Sequence, residues 1–425
     1  MSNRVVITGL GVVSPIGTGI NDFLYSLKNG TSGIKQIEEL VNLNFACTVG
    51  GIPDISNSEF LSFIEQNELA EADISIKYTV IAGMEAWKSA GFKIPEINSG
   101  EININAGAII GTCAGGVEIF MRKMFPLIST GKVKRLGSQI IEHWMSSGSV
   151  AALSKILALA NQTTSNSSAC STGLEAIIMA YDRIKSRKAK IMLAGGSEPY
   201  SPYAWGGFDS MRLLSRKYNE NPKSASRPMS NSASGFVPSA GAGIIILEDY
   251  EHAKNRKANI LAEIIGTAIN SGGQRQGGTM TSPNSQQVIS CITQALEEAD
   301  ITGKDIDLIS GHLTGTIADS IEVNNWKTAL NLNNKFPYIN APKSMLGHAI
   351  GAAGAIETIA TILQIQHKFI HPTINCEDLN PEIKSTWNKN KIPIETIEDI
   401  EINYAMKASF GFGDVNSCII LKKIN

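Results

Sequence analysis

The stretch NSSACSTGLEAI, Asn166 to Ile177, places one thiol, Cys170, between a polar approach of small residues and an apolar helical segment that starts at Leu174. Upstream, NQTTSNSS offers several helix caps, so Cys170 is expected at a first helical turn, where unpaired N–H groups and the dipole favour a thiolate. A nucleophile fits that position; a buried structural cysteine, the commoner fate of an unpaired thiol, fits it too. Two of the six histidines sit where they could assist. ISGHLTGTIADSIE puts His312 directly after a predicted strand, at the head of a Gly/Thr loop. APKSMLGHAIGAAGAIET puts Lys343 and His348 just ahead of a helix. Spacing along the chain does not fix how these groups meet in space. His252 in YEHAK, with His367 and His371 in QHKFIHP, lie among charged or turn residues and read as surface groups; His143 beside Trp144 fits either role. Near the C-terminus, ASFGFGDVNS alternates phenylalanine with glycine as a flexible aromatic turn would.

Holding such groups in place requires regular elements, and the hydrophobic pattern supplies them. Predicted strands are RVVITGLGVV, NAGAIIG, AKIMLAGG, AGAGIIILE, ANILAEIIGTAIN, IDLISGH and NSCIILKKI. Between them IKYTVIAGMEAWKSAG, GLEAIIMAYDRIKSRK, SQQVISCITQALEEAD and GAIETIATILQIQHK carry helical periodicity. In the second, Leu174, Ile177, Ile178, Tyr181 and Ile184 share one face while Glu175, Asp182 and Lys185 fall elsewhere. The alternation predicts an α/β architecture with parallel or mixed sheets. Gly347, Ala349, Gly351, Ala352, Ala353, Gly354 and Ala355 are small enough for close packing on neighbouring backbone, with the Cys170 helix as the candidate neighbour. Small residues lead into an apolar helix at Cys170 and again at His348, a faint hint of a repeat. LSRKYNENPKSASRPMSNSASG, residues 214 to 235, reads as a long surface loop before a new strand.

Composition narrows the partners. The 425 residues are 43 % hydrophobic, with a mean hydropathy near zero, enough for a large core and two or three domains at ~150 residues each. A formal charge of −2 offers neither a nucleic-acid surface nor a polybasic membrane anchor. MSNRVVITGLGVVSPIG lacks the parts of a signal peptide, and no stretch approaches the ~18 apolar residues that span a bilayer, so a cytoplasmic protein is expected. Cys47, Cys113, Cys170, Cys291, Cys376 and Cys418 form no CxxC pairs, which supports neither a disulfide framework nor a zinc site.

Taken together, Cys170 in ACSTG, His312 in GHLTGT, Lys343 and His348 in KSMLGHAIGAAGA, and SFGFG from Ser409 resemble the Cys-His-His set of the elongating β-ketoacyl-acyl carrier protein synthases, most of all β-ketoacyl-ACP synthase II. The motifs occur in the family's order, and the likeness runs from VVITGLGVVSPIG through AGGSE, LSRKYNENPKSASRP and YEHAKNRKA to the end. His348 separates the chain from chalcone-synthase-like and initiating synthases, which carry asparagine there. Cys418 in VNSCIIL does not match the glycine-flanked cysteine of thiolases. The resemblance implies the α/β thiolase fold, two similar βα halves in a five-layer α-β-α-β-α sandwich. Residues 1–255 would carry the cysteine and residues 256–425 both histidines. It also implies a dimer, with a second copy or with a ketosynthase-like subunit.

The activity so implied is decarboxylative Claisen condensation of a Cys-bound acyl chain with malonyl-ACP, in fatty-acid or polyene/polyketide elongation. No metal or organic cofactor is called for, because phosphopantetheine arrives on the acyl carrier protein. Cys170 would hold the chain as a thioester, and the N–H groups of Cys170 and Phe412 would bind the oxyanion. His312 and His348, as neutral rings, would donate to the thioester oxygen as CO₂ leaves. Lys343 and Glu322 match an ion pair beneath the histidines, and Glu357 a carboxylate near it. Thr314 and Thr316 match threonines that hydrogen-bond the pantetheine arm. Phe412 matches an aromatic gate, while Phe410 and Ala114 fall on the substrate pocket.

Several positions depart from the family pattern. Leu313 follows His312 where glycine is usual, and the interval to Asp319 and Glu322 is one residue short. Ala240 stands where an acidic residue is expected, and Asp414 and Val415 replace Gly and Thr after GFG. Ala114 stands where synthase II relatives carry a bulkier aliphatic residue, which should lengthen or reshape the acyl tunnel. FIEQNELAEAD is acidic where relatives present basic residues to the carrier protein, pointing to a different carrier and a dedicated secondary pathway such as polyene or polyketide pigment assembly. Two other classes compete with this reading. A non-catalytic chain-length-factor-like partner subunit normally lacks the cysteine, and a Cys-His thioester hydrolase would leave the second histidine idle.

Overall fold

The computed structural model describes residues 3–96 and 99–424. Ten strands form the main path of one mixed sheet: β1 (Val5–Ser14), β2 (Ala106–Gly111), β3 (Thr163–Thr164), β4 (Ile191–Glu198), β5 (Gly241–Asp249), β6 (Ala262–Ser271), β7 (Leu308–Ser310), β8 (Tyr338–Asn340), β9 (Tyr404–Gly411) and β10 (Val415–Lys422). Six helices matter for the site: α1 (Ile74–Ser89), α2 (Gly148–Leu157), α3 (Thr172–Lys185), α4 (Ser285–Ala299), α5 (Ala318–Ala329) and α6 (Ala353–His367). Every strand and helix predicted from the pattern is present. The additional strands β3, β8 and β9 escape it because two are too short to show a period and the third carries a charge at its centre.

The spatial order β8-β7-β9-β10-β6-β1-β5-β4-β2-β3 contains a duplication. In each half the first strand pairs antiparallel with the last, the last antiparallel with the fourth, and the fourth parallel with the second, which pairs parallel with the third. The halves join through an antiparallel contact of β1 with β6, Val5 opposite Ile264. After the third strand of each half the chain enters a buried helix: α3 behind Cys170 and α6 behind His348. That equivalence is the physical content of the faint sequence repeat.

Layering follows from which faces are apolar. Helices α1 and α2 cover the outer face of the first half-sheet, and α4 and α5 that of the second. Helices α3 and α6 fill the space between the two half-sheets. Every residue from Ala353 to Ile365 is buried, as befits a helix with protein on all sides. The result is the five-layer thiolase fold. Helix contact in the middle layer depends on absent side chains: a Cβ on Gly173 would come within 2.8 Å of the Gly351 carbonyl oxygen, and one on Gly354 within 2.8 Å of the Leu174 nitrogen. The small-residue run ahead of α6 thus packs on the Cys170 helix.

Two expectations need correction. The segment 214–235 is irregular but not a surface loop, since Leu214, Ser215, Ala225, Ser226, Met229 and Ser230 are buried. Its polar groups bond other loops rather than water: Ser226 Oγ donates to the Lys343 carbonyl at 2.6 Å and the Met229 N–H to Asp319 Oδ2 at 2.8 Å. His371 is also buried, with Nδ1 2.9 Å from the Pro372 carbonyl oxygen. The six cysteines are unpaired, and Cys113 alone among them is exposed. No helix among the described residues is long and apolar enough to cross a membrane.

Candidate active site

Cys170 lies in the turn between β3 and α3. Ala169 before it adopts φ 49°, a left-handed conformation that β-carbon-bearing residues rarely take and that turns the chain sharply into the helix. Thr172 secures this turn: its Oγ1 accepts the Ser168 N–H at 2.8 Å and donates to the Ala169 carbonyl at 2.7 Å. From the equivalent turn of the second half comes His348. Its Nδ1 accepts the Ile350 N–H at 3.2 Å, so the neutral ring carries its proton on Nε2, which lies 3.1 Å from Cys170 Sγ. His312, just past the end of β7, stands with its ring nearly perpendicular to that of His348, centroids 5.3 Å apart. One sulfur and one nitrogen of each ring lie within 4.8 Å of one another.

Burial and charge set the protonation states. Burial pushes the Cys170 thiol up to about 11, against the pull of Lys343 and the Phe412 N–H. Desolvation therefore outweighs the helix-terminus effect expected from the sequence. Both imidazoles are held well below the ordinary histidine range, by burial first and then by Lys343. They are neutral donors at working pH.

The ion pair beneath them differs from the expected one. Lys343 Nζ meets Glu357 Oε1 at 2.5 Å, not Glu322. Glu322 instead accepts the His312 N–H at 2.7 Å, the Leu313 N–H at 2.8 Å and Trp326 Nε1–H at 3.1 Å. Burial raises that carboxyl to about 7. Glu357, expected only near that pair, is its carboxylate: it is 1 % exposed and also meets Lys407. It does not line the cavity beside Cys170.

Above these groups opens a cavity of about 240 Å³ with Cys170, His312, His348, Phe410 and Phe412 on its walls. Thr314 and Thr316 line the same cavity, their hydroxyl oxygens 3.1 Å apart. The Phe410 ring stands edge-on to His312 at 6.1 Å. Phe412 begins an aromatic chain, edge-on to Phe208 at 6.0 Å, then Phe208 to Phe236 at 5.5 Å and Phe236 to His348 at 5.3 Å. Gly413 behind it has φ 87°, a turn open to glycine. Ala114 is not on these walls. Its N–H donates to Glu198 Oε1 at 2.7 Å, in the loop beyond Ile350.

The departures from pattern have structural answers. Leu313 adopts φ 24°, which explains why glycine suits this position, and its buried N–H is met by Glu322. In the shortened loop, Asp319 accepts the Thr314 N–H at 2.8 Å and the Gly315 N–H at 3.0 Å. Ala240 is fully buried among apolar neighbours. Asp414, buried with φ 65°, accepts the Asn284 N–H at 2.7 Å and the Gln274 N–H at 3.0 Å, tying the turn after Phe412 to residues 272–284.

Three contributors were missed by sequence reasoning: Asp319 and Glu198, which organise loops by accepting backbone N–H groups, and Lys407. For Lys407 a signal existed, one charge inside the otherwise apolar run YAMKASFG. Cys170, His312 and His348 also have the spacing of a three-ligand metal site. The His348 tautomer argues otherwise, because an Nε2–H offers the cluster a proton rather than a lone pair. The arrangement suits an anionic oxygen or sulfur.

Comparison with known proteins agrees with this chemistry. Residues 2–253 match the family model of the beta-ketoacyl synthase N-terminal domain and residues 261–377 that of the C-terminal domain. The chain is 34 % identical, over 98 % of its length and 86 % of the relative's, to 3-oxoacyl-[acyl-carrier-protein] synthase I, chloroplastic, of Arabidopsis thaliana. It is 33 % identical to 3-oxoacyl-[acyl-carrier-protein] synthase 2 of Vibrio harveyi over 99 % of both chains. Among solved structures, a type II polyketide acyl-carrier protein in complex with its ketosynthase bound to the hexaketide supplies a match at TM-score 0.87 and 30 % identity, covering all of both chains.

Proposed function

Because the chain belongs to the β-ketoacyl synthase family, we propose that Cys170 carries an acyl chain as a thioester while His312 and His348 direct decarboxylation of a malonyl thioester. The protein is an acyltransferase that builds a β-ketoacyl thioester by decarboxylative Claisen condensation. Cys170 sulfur attacks the incoming thioester carbon, and the pantetheine thiol leaves with the proton. The N–H groups of Cys170 and Phe412 suit the tetrahedral oxyanion; the Phe412 N–H already points to the sulfur. Malonyl thioester then loses CO₂, and the enolate oxygen receives the imidazole N–H donors. Its carbon attacks the acyl carbon on Cys170, the new C–C bond forms, and the sulfur leaves as thiolate.

One observation carries this reading: the Nε2–H of a neutral His348 lies 3.1 Å from Cys170 Sγ with His312 beside it. A partner subunit without chemistry would not need all three groups, and a hydrolase would not need the second ring. Thr314 and Thr316 fit the pantetheine arm, and Phe412 a gate over the sulfur. No resident metal or organic cofactor enters the scheme. Ala114, which shares the Glu198 carboxylate with Gly351 just after the cavity-lining Ile350, fits the distal end of an acyl channel.

The carrier is an acyl carrier protein. Exposed Glu65, Glu68 and Glu71 favour one with a docking face unlike the usual acidic one, and hence a dedicated polyene or polyketide pathway. A dimer, with a second copy or a ketosynthase-like subunit, is supported by β3 at the open sheet edge and by exposed Phe120, Phe125, Ile128, Val133 and Ile141. The test is intact-mass analysis of Cys170 after incubation with a panel of acyl-loaded carrier proteins. Loading by short unsaturated or aryl chains supports pigment assembly, and broad loading by saturated chains contradicts it.

A further inference from the structure

Strand β9 places Lys407 between Met406 and Ala408 with its side chain fully buried. Its Nζ lies 2.7 Å from Glu357 Oε2, while Lys343 Nζ lies 2.5 Å from Oε1 of the same carboxylate. It also donates to the Ala408 carbonyl. A lone Lys343–Glu357 pair would be neutral, and the carboxylate would cancel the field of the ammonium at the sulfur and the rings above. Two lysines sharing one carboxylate instead give the cluster one cation more than it has anions when both are protonated; burial and Lys343 lower the Lys407 ammonium, and Glu357 at 2.7 Å opposes that shift. Burying such a group is unfavourable unless something compensates.

We propose that Lys407 is a positioning residue that engages Glu357 and thereby leaves the positive charge of Lys343 available to the negative charge developing on the Cys170 sulfur and the substrate oxygen. This inference rests on the condensing reaction proposed above. Of the other titratable groups around the cluster, Glu198 opposes the cationic field at the Cys170 sulfur, and the fully buried Cys418 feels Lys407. Glu322 on α5 is engaged by the amides of His312 and Leu313, and Glu198 on β4 by those of Cys113, Ala114 and Gly351. Asp319 holds the loop after Leu313 through its amides. His371 lies within electrostatic reach of Glu357 and is neutral, with burial lowering it to about 4. Lys407 and Lys343 both push the two catalytic rings toward their neutral forms.

The test is a series in net charge beneath the site, made in the full chain. Lys407→Met leaves the cluster neutral, Glu357→Gln leaves two positive charges, and the double variant restores the wild-type balance. Iodoacetamide alkylation followed at Cys170 by peptide mass, as a function of pH, reads the thiol without requiring turnover. The alkylation midpoint is expected to rise by about one pH unit in Lys407→Met, fall in Glu357→Gln, and return to the wild-type value in the double variant and in Lys407→Arg. Malonyl-carrier-protein decarboxylation should lose about tenfold or more in kcat in Lys407→Met with KM unchanged. If Lys407→Met does not fold, Glu357→Gln and the double variant still carry the comparison. Midpoints that do not follow the charge series, or a double variant displaced from wild type, would overturn the assignment. Midpoints that follow it while no variant, wild type included, decarboxylates the malonyl thioester would sustain the electrostatic role and overturn the condensing reaction instead.

Discussion

His348 presents Nε2–H to Cys170 sulfur at 3.1 Å because the Ile350 N–H occupies its Nδ1 at 3.2 Å. The backbone at the mouth of α6 therefore selects the tautomer that the chemistry uses. Burial and Lys343 keep the same ring uncharged. The His348→Ala variant should lower malonyl decarboxylation by about 100-fold or more, the usual loss for one preorganised donor. It should also move Cys170 alkylation to higher pH, since a donor to the thiolate is gone. The His312→Ala variant should lose decarboxylation to a similar degree, with a smaller effect on alkylation.

Stability should depend on pH through His371, which lies outside the chemistry. Its pKa is lowered by burial from 6.5 to about 4. The unfolded chain therefore binds the extra proton first as pH falls, so the stabilisation is complete above the unfolded value and is lost on the way down to the folded one. Between pH 7 and 5 this one group should account for ~2 kcal/mol. Urea midpoints at those two pH values should differ less in His371→Gln than in wild type; equal differences would show that the ring titrates normally.

Asp414 ties the Phe412 turn to residues 272–284 through two amides. Asp414→Ala leaves the buried Asn284 N–H and the part-buried Gln274 N–H unpaired, and ~2 kcal/mol of stability should go with them. Hydrogen exchange should accelerate in 272–284 and in the Phe412 turn together. Acceleration in one segment without the other would mean that the carboxylate does not couple them.

Packing of the two site-bearing helices admits a direct test at Gly354, where a Cβ would lie 2.8 Å from the Leu174 nitrogen. Gly354→Ala should lower stability by about 1–3 kcal/mol through overpacking. Because Cys170 and His348 stand in the turns just ahead of α3 and α6, condensation should fall by more than the loss of folded protein explains.

Much of this site was legible in residue types, and the reason is physical. Cys170, His312 and His348 stand beside small residues and turns that their close approach demands, and the Gly/Ala run ahead of α6 announced helix packing against α3. The apolar strands and amphipathic helices were equally readable by their periods. Pairing of buried charges was not. Which lysine meets which carboxylate depends on strand register, and Lys343 meets Glu357 rather than Glu322 because β9 and α6 bring Lys407 and Glu357 under the same rings. The segment 214–235 misled because its serines and asparagines satisfy loop backbone instead of water. His371 misled because neighbours in sequence do not report a fold that closes over them.

The central claim is that one sulfur carries the chain while two imidazoles generate its attacking partner, so the two duties should separate. The decisive measurement compares wild type with Cys170→Gln, supplied with acyl- and malonyl-loaded carrier protein, by mass spectrometry of every carrier-bound product and of released CO₂. Wild type should yield a β-ketoacyl carrier two carbons longer, and Cys170→Gln should still release CO₂ while forming no condensed product. Free acid from wild type with no β-ketoacyl species, or loss of CO₂ release on removing the sulfur alone, would contradict it.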